Sequence, residues 1–326
     1  MAFYNNRVCI ADVNGKEIYL IKNTKNELIL NYYSYKGEIV ESVLANDLLE
    51  EFDILINDDD SIYIIYQDLK YYLNLLIIKG RDVSSHKLTT ERFSKIFELN
   101  ILRHNNATSM FFLYPINNSQ KIFQIEHYML KDNEWFNFKV DEARVNQILN
   151  PIKVINNGGK IFLAYYYENQ ICLKTFDSIK GEWKESLVLT DNKEKLYLDL
   201  LYVDEYFHVV YSEAVDDNYI IRYKNFKYPG FVEEESSSIS RKSNSSNPTI
   251  ILKDNKLWII WNESSRIYSK NSSDKGKTWS EIVNFDEYSK NNIVRYKYIT
   301  NNNVEDTIIH NTFGTIYPDI KFIGFN

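Results

Sequence analysis

Short apolar runs that end in an aromatic residue recur along this sequence at a nearly constant step. Their end residues lie 48, 51, 46 and 50 positions apart, and in chain order they are Tyr66, Tyr114, Tyr165, Tyr211 and Trp261. A second apolar run precedes each of these marker aromatic residues. A repeat of a few tens of residues indicates that each copy is one supersecondary unit packed against its neighbours. The chain is therefore expected to fold as a series of similar units.

The apolar runs favour β-strands over helices. They are five to seven residues long and consist largely of β-branched and aromatic residues, which is typical of strands. We interpret each repeat as four strands joined by turns. Seven repeats divide the 326 residues into stretches of about 47, a normal length for a four-stranded propeller blade. Because the repeat at 8–37 fits least well, six blades is the alternative.

One turn carries a recognisable motif. Residues 272–279 read Ser-Ser-Asp-Lys-Gly-Lys-Thr-Trp, which resembles the Asp box of the bacterial neuraminidase repeat, Ser-x-Asp-x-Gly-x-Thr-Trp. The resemblance implies a hairpin of a sialidase-like β-propeller. We expect the Asp274 carboxylate to accept hydrogen bonds from backbone N–H groups of the turn. We also expect Gly276 to adopt positive φ. Trp279 is expected to bury its ring beside the next hairpin, so all three roles are structural.

Weaker copies of this turn precede the outer strands of other repeats. A glycine stands there in four of them, namely Gly37, Gly80, Gly181 and Gly230, and Asn133 takes the same position in a fifth. Glycine and asparagine are the residues that most readily adopt positive φ. We therefore predict positive φ at all of these positions.

The predicted fold is all-β, with residues 1–326 forming a single β-propeller domain of four-stranded antiparallel blades. The last repeat offers three strands, at 294–300, 306–310 and 319–325, and lacks an outer one. Residues 2–5 are the natural donor of a missing strand. Pairing of the first and last segments would close the ring and cover its open edges.

Charge and composition narrow the range of partners. The net charge is −7 without a basic stripe, so no nucleic acid is expected. The chain has neither a long apolar run nor a secretory signal, which predicts no membrane insertion and a cytoplasmic location, with a surface or spore-type assembly left open. The five histidines show no metal-ligand spacing, and Cys9 and Cys172 are far apart. We therefore predict two buried thiols, no metal and no cofactor.

The resemblance also makes sialidase activity a candidate function. Such a site needs three arginines around a carboxylate, a Tyr nucleophile paired with a Glu, and an Asp as acid/base. The Arg-Ile-Pro motif of that family is absent, because the single Arg-Ile pair, Arg266-Ile267, precedes Tyr268. No one tyrosine among 26 stands out as a nucleophile. We therefore nominate no catalytic residue.

Polar residues at the starts of the predicted innermost strands are the best candidates for ligand binding. They are Asp53, Asn100 and Asp199 at equivalent positions, with Arg103, His104 and Arg295 on or beside such strands. In a closed ring these positions meet at one mouth of the channel, where ligands often bind. The structural alternatives are that Asp and Asn cap the entering loops, or that an arginine neutralises Asp53 or Asp199.

These observations favour a non-catalytic propeller that binds a protein or a glycan at a channel mouth or blade rim. One alternative is a sialidase-like or other glycoside hydrolase, which would need two carboxylates across a cleft. A second alternative is an architectural subunit of a larger assembly. The Ser-rich loop at 233–247 is interpreted as a solvated connection or as a flap over one face.

Overall fold

The computed structural model describes residues 7–34, 36–286, 292–302, 304–316 and 319–325. Nearly all of its regular structure is strand, with one short 3-10 helix at Ile116–Asn118 among these residues. No helix in this part of the chain is long and apolar enough to span a membrane. The chain divides into two compact units, described separately below. Unit 1 comprises Met1–Glu142 with Tyr296–Asn303, and unit 2 comprises Ala143–Arg295 with Val304–Asn326.

Unit 1 contains three blades of four strands each. Blade 1 consists of β1 (Val8–Val13), β2 (Glu17–Thr24), β3 (Glu27–Ser34) and β4 (Ile39–Ala45). Blade 2 consists of β5 (Leu48–Ile56), β6 (Ile62–Asp68), β7 (Leu73–Lys79) and β8 (Asp82–Lys87). Blade 3 consists of β9 (Phe97–His104), β10 (Ala107–Pro115), β11 (Ile122–Lys131) and β12 (Glu134–Arg144).

Unit 2 repeats the arrangement. Blade 4 consists of β13 (Ile152–Asn157), β14 (Lys160–Tyr167) and β15 (Gln170–Asp177), with an outer strand in two pieces, β16 (Glu182–Trp183) and β17 (Leu187–Val188). Blade 5 consists of β18 (Lys195–Val203), β19 (Tyr206–Val215), β20 (Asn218–Lys227) and β21 (Val232–Ser238). Blade 6 consists of β22 (Ser246–Lys253), β23 (Lys256–Glu263), β24 (Arg266–Ser272) and β25 (Val283–Asn284).

Three strands complete the chain. They are β26 (Ile293–Thr300), β27 (Asn311–Thr315) and β28 (Lys321–Ile323). Within unit 1, residues of β26 pair in parallel with β1, and Cys9 lies opposite Lys297. Within unit 2, β27 and β28 form an antiparallel pair. Seven blades remains a prediction, because the described residues give six blades and these three additional strands, which pair into five sheets of seven, nine, four, four and four strands.

Burial explains why the marker runs are continuously apolar. They lie in the second strand of their blades, where β6, β10 and β14 are buried along most of their length. Both faces of such a strand pack against neighbouring structure, so hydrophobic residues do not alternate with polar ones. The outermost strand β8 is fully exposed instead. Burial therefore falls from the inner strands of a blade to its outer edge.

The fold is a β-propeller of four-stranded antiparallel blades, as the sequence predicts. The predicted positive φ is found at Gly37, Gly80, Gly181 and Gly276, and also at Asn133, which replaces glycine in its turn. The prediction is wrong for Gly230, because the positive φ of that turn falls on Phe231. Cys9 and Cys172 are buried thiols, as predicted.

Two further predictions need correction. The strand expected at 306–310 is not formed: Ile308 makes only an isolated bridge to Leu252, and the strand begins at Asn311. The Ser-rich segment 233–247 is largely not a loop or flap, because its first six residues belong to β21 and its last two to β22. Pairing with β20 satisfies its backbone groups despite the polar side chains. The proposed donor strand at 2–5 lies outside the described residues.

Candidate functional site

Asp53 is an inner-strand carboxylate of unit 1 and is only 1% exposed. Its Oδ2 atom accepts hydrogen bonds from Lys297 Nζ at 2.6 Å and from the backbone N–H of Ile101 at 2.7 Å. Ile101 lies on β9, the innermost strand of the next blade. Asp53 therefore joins two consecutive blades and has a cation beside it, as a buried carboxylate requires.

Asp199 has the same role in unit 2 and is equally buried. Its Oδ2 accepts hydrogen bonds from the Thr249 hydroxyl at 2.8 Å and from the N–H of Ile250 at 3.2 Å. Lys153 Nζ lies 2.7 Å from Oδ1, and Arg295 lies 3.8 Å from Oδ2. Burial by itself would raise the pKa of Asp199, but these two cations and the hydrogen bonds lower it overall. The carboxylate is thus held in its charged form.

The other predicted site residues have separate partners. Arg103 pairs with Asp58 at 2.7 Å and donates to Asn57, while Asn100 donates to the backbone carbonyl of Glu98. His104 is buried, and its Nε2 lies 2.7 Å from the Ser109 hydroxyl, which also contacts His127. Arg295 stands beside Asp199, as described above. In unit 1, the groups nominated with Asp53 therefore take part in other local interactions.

These arrangements do not resemble acid/base machinery. A general acid or base needs a pKa adjusted toward neutrality and access to a reacting atom, whereas Asp199 is buried with a lowered pKa. Several Tyr–Glu pairs are present: the Tyr19 and Tyr32 hydroxyls donate to Glu17, and the Tyr114 hydroxyl donates to Glu126 at 3.4 Å. Burial and the Glu126 charge raise the pKa of Tyr114, which makes its hydroxyl a poorer nucleophile. The described residues contain no His, Cys, Asp and Glu cluster that could hold a metal ion.

The turn at 272–279 is closed by its own side chains. Asp274 Oδ1 accepts hydrogen bonds from the Ser272 hydroxyl at 2.7 Å and from the N–H of Thr278 at 2.9 Å. Asp274 Oδ2 accepts from the Thr278 hydroxyl at 2.6 Å. These hydrogen bonds, led by the one from Thr278, lower the pKa of Asp274 to about 2. The carboxylate is engaged in shaping the turn.

The same turn is anchored on the preceding blade. Gly276 has a φ of +91°, and a Cβ added there would overlap the Tyr223 ring. Tyr223 donates to the backbone carbonyl of Lys275 at 3.2 Å. The half-buried Trp279 packs edge-on against the Tyr223 ring, with 4.9 Å between ring centroids. Asp274, Gly276 and Trp279 therefore connect blade 6 to blade 5.

A small polar depression in unit 2, with an enclosed volume of about 10 Å³, brings together residues that the sequence does not single out. Three segments line it: 145–147 before β13, Tyr166 with 168–169 at the β14–β15 turn, and 194–196 at the start of β18. Val145, Tyr166, Lys195 and Leu196 form a buried floor. Asn146, Gln147 and Glu168 form an exposed rim. Converging polar groups in a concavity are typical of a ligand site.

Tyr166 occupies a position with a defined task in other blades. In blade 2 the equivalent Gln67, which follows the marker Tyr66, donates to Ser94 O at 2.9 Å and accepts from Ile96 N at 3.0 Å. In blade 5 the equivalent Ser212 donates to Ser245 O at 3.1 Å. A polar side chain here thus connects its blade to the segment entering the next one.

Tyr166 departs from this pattern. The residue is 3% exposed, and its hydroxyl has no hydrogen-bond partner among the described residues. A buried hydroxyl without a partner costs about 1–3 kcal/mol, and such groups in native structures call for an explanation. The space enclosed by the residues that line the depression is about 10 Å³, enough for one water molecule.

The charged groups around the depression are already engaged. The Lys195 side chain is fully buried, and its ammonium lies within hydrogen-bonding distance of four oxygens: Asn169 O, Lys193 O, Asp191 O and Asp191 Oδ1. Burial lowers the pKa of Lys195. Arg144 lies 3.9 Å from Glu168 and stacks over the Tyr167 ring at 4.8 Å. The ammonium of Lys195 is therefore directed at the protein.

Comparison with known proteins identifies the fold and no family. No family model matches the chain, and no curated protein matches it. Among solved structures, the SapL1 lectin in complex with alpha methyl fucoside is similar with a TM-score of 0.51 and 10% identity, over 86% of this chain and 95% of the lectin. The fucose-specific lectin from Aleuria aurantia has a TM-score of 0.53 and 10% identity over the same shares. Polysaccharide lyase Uly1 has a TM-score of 0.53 and 11% identity, over 87% of this chain and 81% of the lyase.

Proposed function

We propose that this protein is a non-catalytic glycan-binding propeller and that the polar rim of the depression around Tyr166 is its binding surface. The observation that carries the proposal is the exposed rim of Asn146, Gln147 and Glu168, where segments distant in sequence converge. Amide side chains both donate and accept hydrogen bonds, as sugar hydroxyls do. Two similar structures are lectins described with fucose, which supports a sugar as the ligand class.

The depression lacks the features of a hydrolase. Glycoside hydrolysis uses two carboxyl groups that flank the scissile bond, one of them with a raised pKa. Glu168 stands on the rim and pairs with Arg144. Glu194 accepts a hydrogen bond from the Tyr219 hydroxyl. Both carboxylates of the depression are therefore engaged by neighbouring residues, and the geometry supports binding over catalysis.

The channel-mouth site nominated from the sequence is the less supported location. Asp53 and Asp199 are each buried in ion pairs with hydrogen bonds that join adjacent blades. A ligand would have to displace interactions that hold the blades together. Their carboxylates are better explained as structural groups, because removing one partner of such a pair is strongly destabilising.

A glycan array read together with a hydrolysis assay tests the proposal. The purified protein is applied to immobilised glycans, and the same preparation is incubated with chromogenic glycosides, including a sialoside. We expect binding to a subset of glycans and no release of chromophore. Binding to no glycan would overturn the proposal, and steady turnover of any glycoside would favour the hydrolase alternative.

A further inference from the structure

We propose that Tyr72, Lys87 and Arg92 of blade 2 form an anion-binding site that takes the phosphate or sulfate group of a small ester. These residues belong to unit 1, whereas the glycan-binding rim belongs to unit 2. The inference therefore does not depend on the proposed function.

Two cations meet at one phenol. Lys87 Nζ lies 3.1 Å from the centroid of the Tyr72 ring. Arg92 Nε donates to the Tyr72 hydroxyl oxygen at 3.5 Å, and its guanidinium carbon lies 5.7 Å from the same ring centroid. Because both cations adjoin the same phenol, one tetrahedral anion beside the hydroxyl can contact all three side chains.

The backbone places these side chains together. Two hydrogen bonds, from Leu88 N–H to Leu73 O and from Phe93 N–H to Tyr71 O, are each 2.9 Å long. They hold the positions directly after the two cations against the two neighbours of the phenol in the chain. The convergence of the cations therefore follows from the path of the backbone and does not depend on side-chain contacts alone.

The carboxylates of this region leave the two cations uncompensated. Asp68 is only 6% exposed, and it accepts hydrogen bonds from two backbone N–H groups of the β6–β7 turn at 2.9 Å each and from Asn74 at 3.0 Å. In the described ranges of the chain, Lys87 and Arg92 form no ion pair, and neither does the adjoining Glu91. Two positive charges therefore remain available to an anion, in a protein whose net charge is −7.

All three groups offer hydrogen-bond donors. The ammonium and the guanidinium only donate, and the Tyr72 hydroxyl, which accepts from Arg92, keeps its own O–H to donate outward. Phosphate and sulfate oxygens accept, and hydrogen bonds between ionised groups are about twice as strong as neutral ones. The hydrogen bond from Arg92 and the charge of Lys87 also lower the pKa of Tyr72, which makes its O–H a better donor to an anion.

The exposure of the site determines what it recognises. Lys87 and Arg92 are both exposed, so the remainder of a bound ester extends into solvent. The geometry therefore selects the anionic group and leaves its carrier unspecified.

NMR titration at constant ionic strength tests the inference, with glucose 6-phosphate, glucose 6-sulfate and inorganic phosphate as probes and glucose as the neutral reference. We expect the wild type to bind at least one of the esters, with shifts centred on residues 70–73 and 87–93, and not to bind glucose. The ester that binds more tightly identifies the source of the anionic group. Arg92→Gln should lose about tenfold in affinity, which corresponds to about 1.4 kcal/mol.

Arg81→Gln is the matched control. It removes the same charge from the same blade, but Arg81 is 79% exposed and already pairs with Glu38 at 2.7 Å. We expect this variant to bind the ester as the wild type does. The melting temperatures of both variants should equal that of the wild type, because both side chains are exposed.

Titration of the Tyr72 phenol, assigned by comparison with Tyr72→Phe, provides a second readout. A bound ester should raise the pKa of Tyr72, because a neighbouring anion disfavours the phenolate. No binding of any anion by the wild type, equal affinities of the wild type and Arg92→Gln, or an equal loss in Arg81→Gln would overturn the inference. So would a Tyr72 titration that saturating ester does not change. A blank glycan array would overturn the proposed function and leave this site intact.

Discussion

Replacing Gly276 by alanine should destabilise the protein far more than the same replacement at Gly181. Both glycines have positive φ, +91° and +66°, in the turn before the outer strand of their blades. An added Cβ at Gly181 meets no atom within 4 Å, whereas at Gly276 it lies 2.6 Å from Tyr223 Cε1 and overlaps the end of that ring. The pair of variants therefore separates the cost of the backbone conformation from the cost of the overlap.

The magnitudes follow from these contacts. Alanine with positive φ costs about 1–2 kcal/mol in either turn. At Gly276 the ring of Tyr223 must also move, although it is fully buried and held against Trp279. Overpacking of this kind costs about 1–3 kcal/mol. Movement of the ring also weakens the hydrogen bonds of Tyr223 to His208 and Lys275 O, at about 1 kcal/mol each. We expect a loss of about 1 kcal/mol for Gly181→Ala and about 4 kcal/mol for Gly276→Ala.

Urea unfolding followed by tryptophan fluorescence provides the measurement. The midpoints of the two variants are compared with the wild type at pH 7.5, and the slopes are checked for a common unfolding transition. A large difference between the variants supports the packing of Gly276 against Tyr223. Equal midpoints for Gly181→Ala and Gly276→Ala would refute it, because backbone conformation would then be the whole effect.

Two further predictions concern stability. Burial lowers the pKa of His127 and of His208 to about 3. As the pH falls, these histidines are therefore protonated in the unfolded chain before they are protonated in the folded protein. The free energy of unfolding should decrease as the pH drops from about 7 toward 3. At pH 5 each histidine should lower the free energy of unfolding by about 2 kcal/mol. A urea midpoint that does not change with pH in this range would contradict this prediction. So would a loss of stability in His208→Gln that is as steep as in the wild type. Trp279→Ala should cost about 2–3 kcal/mol, below the range for fully buried aromatic residues because the side chain is only partly buried, and it should leave glycan binding unchanged. A midpoint equal to that of the wild type would show that the ring contributes no packing.

The fold was accessible from the sequence because its signals are local and repeated. The marker aromatics report the second strand of each blade, where burial on both faces demands an unbroken apolar run. Positive φ at Gly181 and Gly276 reports the turn before an outer strand. The last repeat was predicted less well, because β27 begins at Asn311 and its position depends on contacts of Asn311 with Thr249 and Asp199, distant in sequence.

The candidate site was harder to predict from the sequence than the fold, for a physical reason. Composition shows 26 tyrosines and gives no reason to select Tyr166. The informative signal is its position directly after the marker Tyr165, where Gln67 and Ser212 form hydrogen bonds to the following segment in their own blades. A large phenol in place of a short polar group was visible in the sequence, but its missing partner is a property of three-dimensional packing. For Asp53 and Asp199 the situation is reversed. Their equivalent positions at the starts of innermost strands were recognised in the sequence, but the details of their ion pairs could not be predicted.

A crystal structure of the protein with a neutral methyl glycoside tests the central claim most directly. Our account predicts density for the glycoside on the exposed rim formed by segments 145–147, 166–169 and 194–196, with a sugar hydroxyl within about 3 Å of a rim side chain, the usual hydrogen-bond distance. It also predicts that Lys195 keeps its four protein oxygens in the complex. Sugar density on an outer strand or beside Asp199, with the depression around Tyr166 empty, would contradict the account.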